Sequence, residues 1–314
     1  MLMQKIVCPI CRDHITVGSA SCECNRGHKF EVISGIIDFV PDIKNDKGLL
    51  NEEKIWDNVA EKGFSEIGLV PNPYIEKKCW QDRLRVFELI IKREWRDYRN
   101  RNLCICEIGC GYRLALSFLI SLGFSHVDYI GIDISVKMMQ LAKKSYGNVP
   151  ANWNTQFIRS SANEDIFKEN SLDLVFCDGV LARLDLGSVV KWISKALKPE
   201  GLFIFNDHSD KNVLAKLGRT LIPNFHHRYD PCDEGQKCIM PDHVKEKASR
   251  CHLNLVYEKG LHFVNGRLQY LTEIFNWPKP IVVCGYHTAR LVDHFISSPS
   301  WSYSFTQAYR KYIK

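Results

Sequence analysis

No stretch of this 314-residue chain approaches the roughly 20 consecutive apolar residues that a membrane-spanning helix requires. The opening Met1-Leu2-Met3-Gln4-Lys5 likewise lacks the apolar core of a secretory signal. There is no internal repeat and no low-complexity tract. Net charge is slight: 42 Lys and Arg against 36 Asp and Glu leave +6, which tolerates an RNA or other anionic partner without demanding one. A disulfide framework is also missing. The thirteen cysteines are an odd number, and Cys104, Cys106 and Cys177 sit inside apolar, strand-like runs, as reduced core thiols do. With 45% hydrophobic and 25% charged residues, the composition is globular. The expectation is a cytoplasmic protein with no membrane segment, built as one large domain plus a small module or as two ordinary domains. Nothing in the sequence reports the oligomeric state.

What is present centres on Cys104-Ile105-Cys106-Glu107-Ile108-Gly109-Cys110-Gly111, an apolar strand running into an acid and then glycines, followed by a helical run to Leu122. That order brings bare backbone and a helix N-terminus close to a ligand. About 20 residues on, Tyr129-Ile130-Gly131-Ile132-Asp133 ends a second apolar strand in a carboxylate placed to hold a ribose diol. Strands are expected near 103–108, 128–133, 156–160, 172–177 and 201–206, with helices near 113–122, 135–146 and 186–197. Strand and helix alternate with short loops, so the predicted fold is α/β, a doubly wound, mostly parallel sheet. Ligands in such sheets sit at the carboxyl ends of the strands. That edge would carry Glu107, Asp133, Ser160 to Asn163, Asp178 and Asn206 to His208.

Near the N-terminus, Cys8-Pro9-Ile10-Cys11 is followed by Cys22-Glu23-Cys24 and His28. Two thiolates two residues apart, with a second Cys/His cluster about ten residues later, predict a tetrahedral zinc site. The ligands expected are Cys8, Cys11, Cys24 and His28, with Cys22 as a substitute for either late one. A lobe of forty residues is too small to fold on its apolar core alone. Lys29 to Pro41 would add two short strands about a glycine turn. Residues 5–41 resemble the zinc-ribbon-like module that precedes some methyltransferases, including a family that methylates guanine in ribosomal RNA.

Residues 42–100 read as a helical linker or lid, broken by Gly63, Gly68 and Pro71-Asn72-Pro73, with Trp56 and Tyr74 as lid aromatics. Lys92, Arg93, Arg96, Arg99 and Arg101 gather at the end of this stretch, either as a solvated helix end or as a phosphate-binding patch.

Residues 103–206 resemble the class I S-adenosylmethionine-dependent methyltransferases. Glu107-Ile108-Gly109-Cys110-Gly111 is similar to that family's first motif, and Asp133 stands at its ribose-binding acid. Ser160-Ser161-Ala162-Asn163 resembles the loop that faces adenine. Leu172 to Leu181 resembles the fourth strand, and Ala196-Leu197-Lys198-Pro199-Glu200-Gly201-Leu202 the approach to the fifth. The resemblance implies a seven-stranded Rossmann-like sheet over residues 101–314, with S-adenosylmethionine as cofactor. Glu107, Gly109, Gly111, Asp133, Ala162, Asn163 and Asp178 would then contact that cofactor. Two positions depart from the pattern: Arg113 replaces a third glycine, and Ser161 replaces a common acid.

The segment near 207–250 would form a substrate lid inserted before a sixth strand at 254–257. Helices near 266–276 and 286–296 and a last strand near 301–309 are expected next, and the resemblance implies that this strand enters antiparallel. For a hydroxyl or amine acceptor, His208, His226 and His227 are the candidate bases. An Asn/Asp-Pro-Pro-aromatic signature of base-amine methylation is absent after the fourth strand, where Asp178-Gly179-Val180-Leu181 stands instead. Three readings follow: methylation of a small-molecule hydroxyl or amine, methylation of an RNA base, or a non-catalytic scaffold of the same fold.

Overall fold

A computed structural model of the protein describes residues 2–40, 47–62, 72–111, 115–145, 149–209, 239–264, 268, 272, 275–299 and 301–312. Four short strands come first: β1 (Ile15–Val17), β2 (Ser21–Cys24), β3 (Lys29–Ile33) and β4 (Ile36–Asp38), paired antiparallel in sequence. The β3–β4 turn needs two left-handed residues, and Ser34 (φ 53°) and Gly35 (φ 76°) supply them, as tight hairpins of this twist require. Helices α1 (Lys47–Lys62) and α2 (Pro73–Glu94) follow. The Pro71-Asn72-Pro73 breaker is the start signal of α2: the Asn72 side chain accepts from Ile75 N at 3.2 Å, and Pro73 occupies the first turn, where no N–H is needed.

The central sheet then forms from β5 (Asn102–Ile108), β6 (His126–Asp133), β7 (Asn154–Arg159), β8 (Leu172–Asp178) and β9 (Leu197–His208), all parallel. Helices α3 (Ala115–Ser121), α4 (Val136–Ser145) and α5 (Leu186–Ala196) connect them. After α6 (Pro241–Arg250) come β10 (Leu253–Leu261), α7 (Lys279–Ile296) and β11 (Ser304–Lys311). Strand β11 inserts antiparallel between β9 and β10. Alternate residues of each strand feed opposite faces. Leu103, Ile105, Tyr129, Phe157, Phe176 and Ile204 pack with α2, α3 and α4. Cys104, Cys106, Ile130, Val175, Phe203 and Phe205 pack with α5 and α6. The result is a three-layer α/β/α arrangement.

The expected strands all appear, but the sheet has eleven strands rather than seven, in the order β1-β2-β3-β4-β7-β6-β5-β8-β9-β11-β10. The reason is that β4 adds in parallel to β7, with Ile36, Ile37 and Asp38 opposite Phe157, Ile158 and Arg159. An edge strand presents unpaired N–H and C=O groups, and here the N-terminal module supplies their partner. Five neighbouring pairs are parallel and five antiparallel, so the sheet is mixed rather than mostly parallel. Helix α7 begins seven residues before the expected 286. Its start follows Pro278, with Pro280 in the first turn. Within the expected lid, residues 210–238 lie outside the described residues. Residues 241–250 are α6, whose Val244 and Ala248 are buried in the core beside α5. No helix among the described residues is long and apolar enough to cross a membrane.

Candidate active site

The carboxyl ends of β5 to β9 converge as expected, and each carries a polar group. At the end of β5, Gly109 (φ 70°) turns the chain, and its N–H donates to Ile132 O at 2.8 Å. A side chain is excluded there twice over. The φ is left-handed, and a Cβ would lie 2.2 Å from Val180 Cγ2. Gly111 N donates to Asp133 Oδ2 at 2.8 Å, and Ser135 N donates to Oδ1 at 2.9 Å. The glycine loop and the predicted ribose acid are thus bolted together. Burial pushes the Asp133 carboxyl up, although the N–H groups of Ser135 and Gly111 oppose it. Glu107 is buried and accepts from the Tyr129 hydroxyl at 2.5 Å.

After β7, Ser161 Oγ accepts from Asn163 N at 3.3 Å. Ala162 O accepts from Trp192 Nε1 at 2.9 Å, and Asn163 Oδ1 from Asp185 N at 2.9 Å. These bonds fix the loop to α5. Asp178 ends β8 and lies 3.4 Å from Arg83 Nε of α2. At the end of β9, His208 packs its ring 4.7 Å from that of Tyr303. The preceding Asp207 is buried and accepts from Ala182 N and His208 N, and its burial raises the carboxyl to about 6. His226, His227 and Arg113 lie outside the described residues.

Helix α1 crosses this edge and is tied to it at three points. Glu53 meets Arg159 at the end of β7, Asp57 accepts from Ser135 Oγ at 2.6 Å after β6, and Glu52 pairs with Arg183 at 3.1 Å after β8. Trp56 lies under the Arg183 guanidinium at 5.2 Å. Of the two expected lid aromatics, Trp56 is therefore at the edge, while Tyr74 packs edge-on against Tyr286 of α7. Sequence reading singles out Tyr74, Lys92 and Arg93 in α2 but not Arg83, which the structure brings to Asp178 with Glu76 beside it. Their only signal in the sequence is a spacing of seven, which puts both on one helix face. His262, just beyond β10, also comes to this edge, and nothing in its local sequence marks it.

In the N-terminal module the ligand atoms of Cys8, Cys11, Cys24 and His28 all lie within 4.8 Å of one another. Cys8 Sγ is 3.5 Å and Cys24 Sγ 3.3 Å from His28 Nδ1, and Cys11 Sγ is 3.6 Å from Cys24 Sγ. Burial works against ionising Cys24, but N–H groups of His28 and Arg26 and the neighbouring thiols bring it to about 7. Cys22 is apart from this group. It is buried in the hydrophobic core, and burial pushes its thiol up to about 11.

A model of the methyltransferase domain family matches residues 106–205, the span from β5 to β9. No curated protein matches the chain. Among solved structures, the chain is similar to one from the complex between the Haloferax volcanii Trm112 methyltransferase activator and a methyltransferase. The identity is 13%, 82% of this chain and 98% of that one are covered, and the TM-score is 0.51. It is also similar to Haemonchus contortus phosphoethanolamine N-methyltransferase 2 in complex with S-adenosylmethionine, at 16% identity over 72% of this chain and 52% of that one, with a TM-score of 0.47. A third likeness is to a SAM-dependent methyltransferase from Archaeoglobus fulgidus, at 13% identity over 73% and 94% of the two chains, with a TM-score of 0.45. The matched domain carries the glycine loop and the strand-end acids of the edge described above, and over residues 106–205 the chain carries a methyltransferase domain.

Proposed function

We propose that the protein transfers a methyl group from S-adenosylmethionine to a hydroxyl or amine of a small-molecule acceptor in the cytoplasm. In this reading Asp133 holds the ribose hydroxyls, the backbone at Gly109 and Gly111 admits the methionine part, Glu107 favours its ammonium, and Asp178 stands at the methyl end of the cofactor. Main-chain groups at Ala162 and Asn163 face adenine. The cofactor supplies an activated methyl, so the chain's task is to align the acceptor and exclude water. His208 is the one of the three candidate bases that lies among the described residues, and it would serve a hydroxyl acceptor.

The observation that favours a small acceptor over RNA is the position of the basic run. Lys92 to Arg101 spans the last turn of α2 and the connection into β5, at the amino edge of the sheet. Several of its charges are engaged within the chain: Lys92 pairs with Glu88, Arg93 with Glu94 and the Tyr257 ring, Arg99 with Leu122 O, and Arg101 with the Trp95 ring. Zinc is proposed at Cys8, Cys11, Cys24 and His28. The donor set fits, because zinc bonds of about 2.0–2.3 Å in a tetrahedron separate the ligand atoms by about 3.3–3.8 Å.

Isothermal titration with S-adenosylmethionine, repeated on Asp133→Ala, tests the cofactor site. Affinity should fall at least about tenfold, since two charge-assisted hydrogen bonds are lost. Unchanged affinity would remove the ribose role. Labelled methyl transfer into fractionated pools separates the acceptors. Label in RNA, with binding that weakens steeply with salt, would overturn the small-molecule reading.

A further inference from the structure

Arg83 is a buried cation at the site whose Nε makes no hydrogen bond to any of the described residues. It is 9% exposed, and among the described residues its guanidinium has two ion-pair neighbours: Asp178 Oδ1 at 3.4 Å from Nε and Glu76 Oε1 at 3.7 Å from Nη2. Neither contact is a hydrogen bond, and Nε is sealed from solvent without a partner. Arg159, equally buried at the same edge, shows the ordinary alternative. Its Nε donates to Ile134 O, Nη1 to Asp38 and Nη2 to Glu53. Buried guanidinium donors left unmade are costly, and a protein normally fills them.

A second orphan lies beside the first. His262 is 4% exposed, its Nδ1 is 3.3 Å from Ser304 Oγ, and its Nε2 is buried with no hydrogen-bond partner. It is within electrostatic reach of Arg83, Glu76 and His208, and Tyr303 is within reach of Arg83. With the Ser304 hydroxyl donating to Nδ1, the proton sits on Nε2, which then becomes a donor. Two unfilled donors thus come from α2 and from the end of β10. Arg83 reaches Asp178 at the end of β8 and lies within electrostatic reach of His262, so both belong to the carboxyl edge of the sheet.

The two neighbouring carboxylates lie along the Nε/Nη2 side of the guanidinium. Its end-on pair, Nη1 and Nη2, matches the two oxygens of a carboxylate. A lone anion would be opposed, because Glu76 and Asp178 outnumber Arg83 by one charge. A ligand that also develops a positive charge beside Asp178 would not be.

We propose that Arg83 and His262 bind the carboxylate of the acceptor, and that the acceptor is a small molecule bearing both that carboxylate and the amine that is methylated. The proposal deepens the small-molecule reading above and rests on it. The amine enters as the free base, having left its proton to solvent. Its nitrogen lone pair forms the N–CH3 bond as the C–S bond breaks, and the electron pair of that bond stays on sulfur as S-adenosylhomocysteine forms. The positive charge passes from sulfur to nitrogen, where Asp178 and Glu76 stabilise it. No base is needed in the step.

The test uses the full chain with labelled S-adenosylmethionine and the common α-amino acids, each beside its decarboxylated amine. At least one amino acid should be methylated, with a KM at least about tenfold below that of its amine. Arg83→Lys should raise the amino-acid KM about tenfold or more, leave that of the amine within about twofold, and leave S-adenosylhomocysteine binding by calorimetry within about twofold. The wild-type panel does not depend on the variant folding. Equal use of acid and amine, or equal loss on both in Arg83→Lys, overturns the proposal. So does loss of S-adenosylhomocysteine binding in that variant, which would place the cofactor's own carboxylate on Arg83. Methylation of no amino acid by protein that binds S-adenosylhomocysteine overturns this acceptor class alone. Failure of the wild type to bind S-adenosylhomocysteine overturns the cofactor reading beneath it.

Discussion

His262 sits buried against Ser304 with its basicity held down to about 3, first by burial and then by Arg83. An unfolded histidine titrates near 6.5, so below that pH the unfolded chain takes up a proton that the folded chain refuses. The contribution to stability is therefore complete above about pH 6.5 and is lost as pH falls toward about 3. Between pH 7 and pH 5 the loss should amount to about 2 kcal/mol. Urea unfolding of wild type and His262→Gln at both pH values measures it, and the variant should show a flatter dependence. Identical slopes would mean that His262 protonates freely in the folded protein. The same burial explains why the residue was illegible in the sequence. Phe263 and Val264 beyond it carry no motif, and only the pairing of β10 with β11 brings His262 to Ser304.

Among the elements, α1 and β4 share one side chain. Arg159 holds Asp38 of β4 at 2.7 Å and Glu53 of α1, and all three side chains are largely buried. Removing it in Arg159→Ala would leave two carboxylates facing each other without a cation, at a cost of about 3–5 kcal/mol. Hydrogen exchange should quicken in 36–38 and 47–62 while β8 and β9 stay protected. Unchanged exchange in both segments would show that other contacts hold them. The central elements were legible because parallel buried strands such as Leu172–Asp178 are apolar almost throughout and their helices carry a single apolar stripe. The strand-to-glycine turn at Gly109 and the strand end at Asp133 were legible for a related reason, since both are set by neighbours in sequence. The addition of β4 to β7 was not. Ile36-Ile37-Asp38 is a strand in either arrangement, and three residues carry no mark of the strand they will join. Glu76 and Arg83 escaped notice because a helix face with both charges looks like any solvated face until its packing is known.

For the whole molecule, the N-terminal module and the methyltransferase sheet share one core. Leu2, Ile6, Ile15, Phe30 and Phe39 belong to the same apolar cluster as Cys106, Ile130 and Phe203. Arg12, next to the Cys8–Cys11 turn, reaches across to the carbonyls of Asp165 and Phe167 and pairs with the Asp165 carboxylate at 2.7 Å. Removal of the proposed zinc should therefore not melt the module by itself. Calorimetry with a chelator should show one transition displaced to lower temperature, because binding to the folded state alone stabilises the whole cooperative unit. Two separated transitions would show that the lobe unfolds independently. The strand order carries a further consequence. Residues 36–38 occupy the hydrogen-bonding flank of β7, and a chain cut back to the catalytic sheet would present Asn154–Arg159 as a bare ribbon edge. Such an edge can recruit another copy of itself, so a chain lacking the N-terminal forty residues should self-associate in light scattering where the full chain does not.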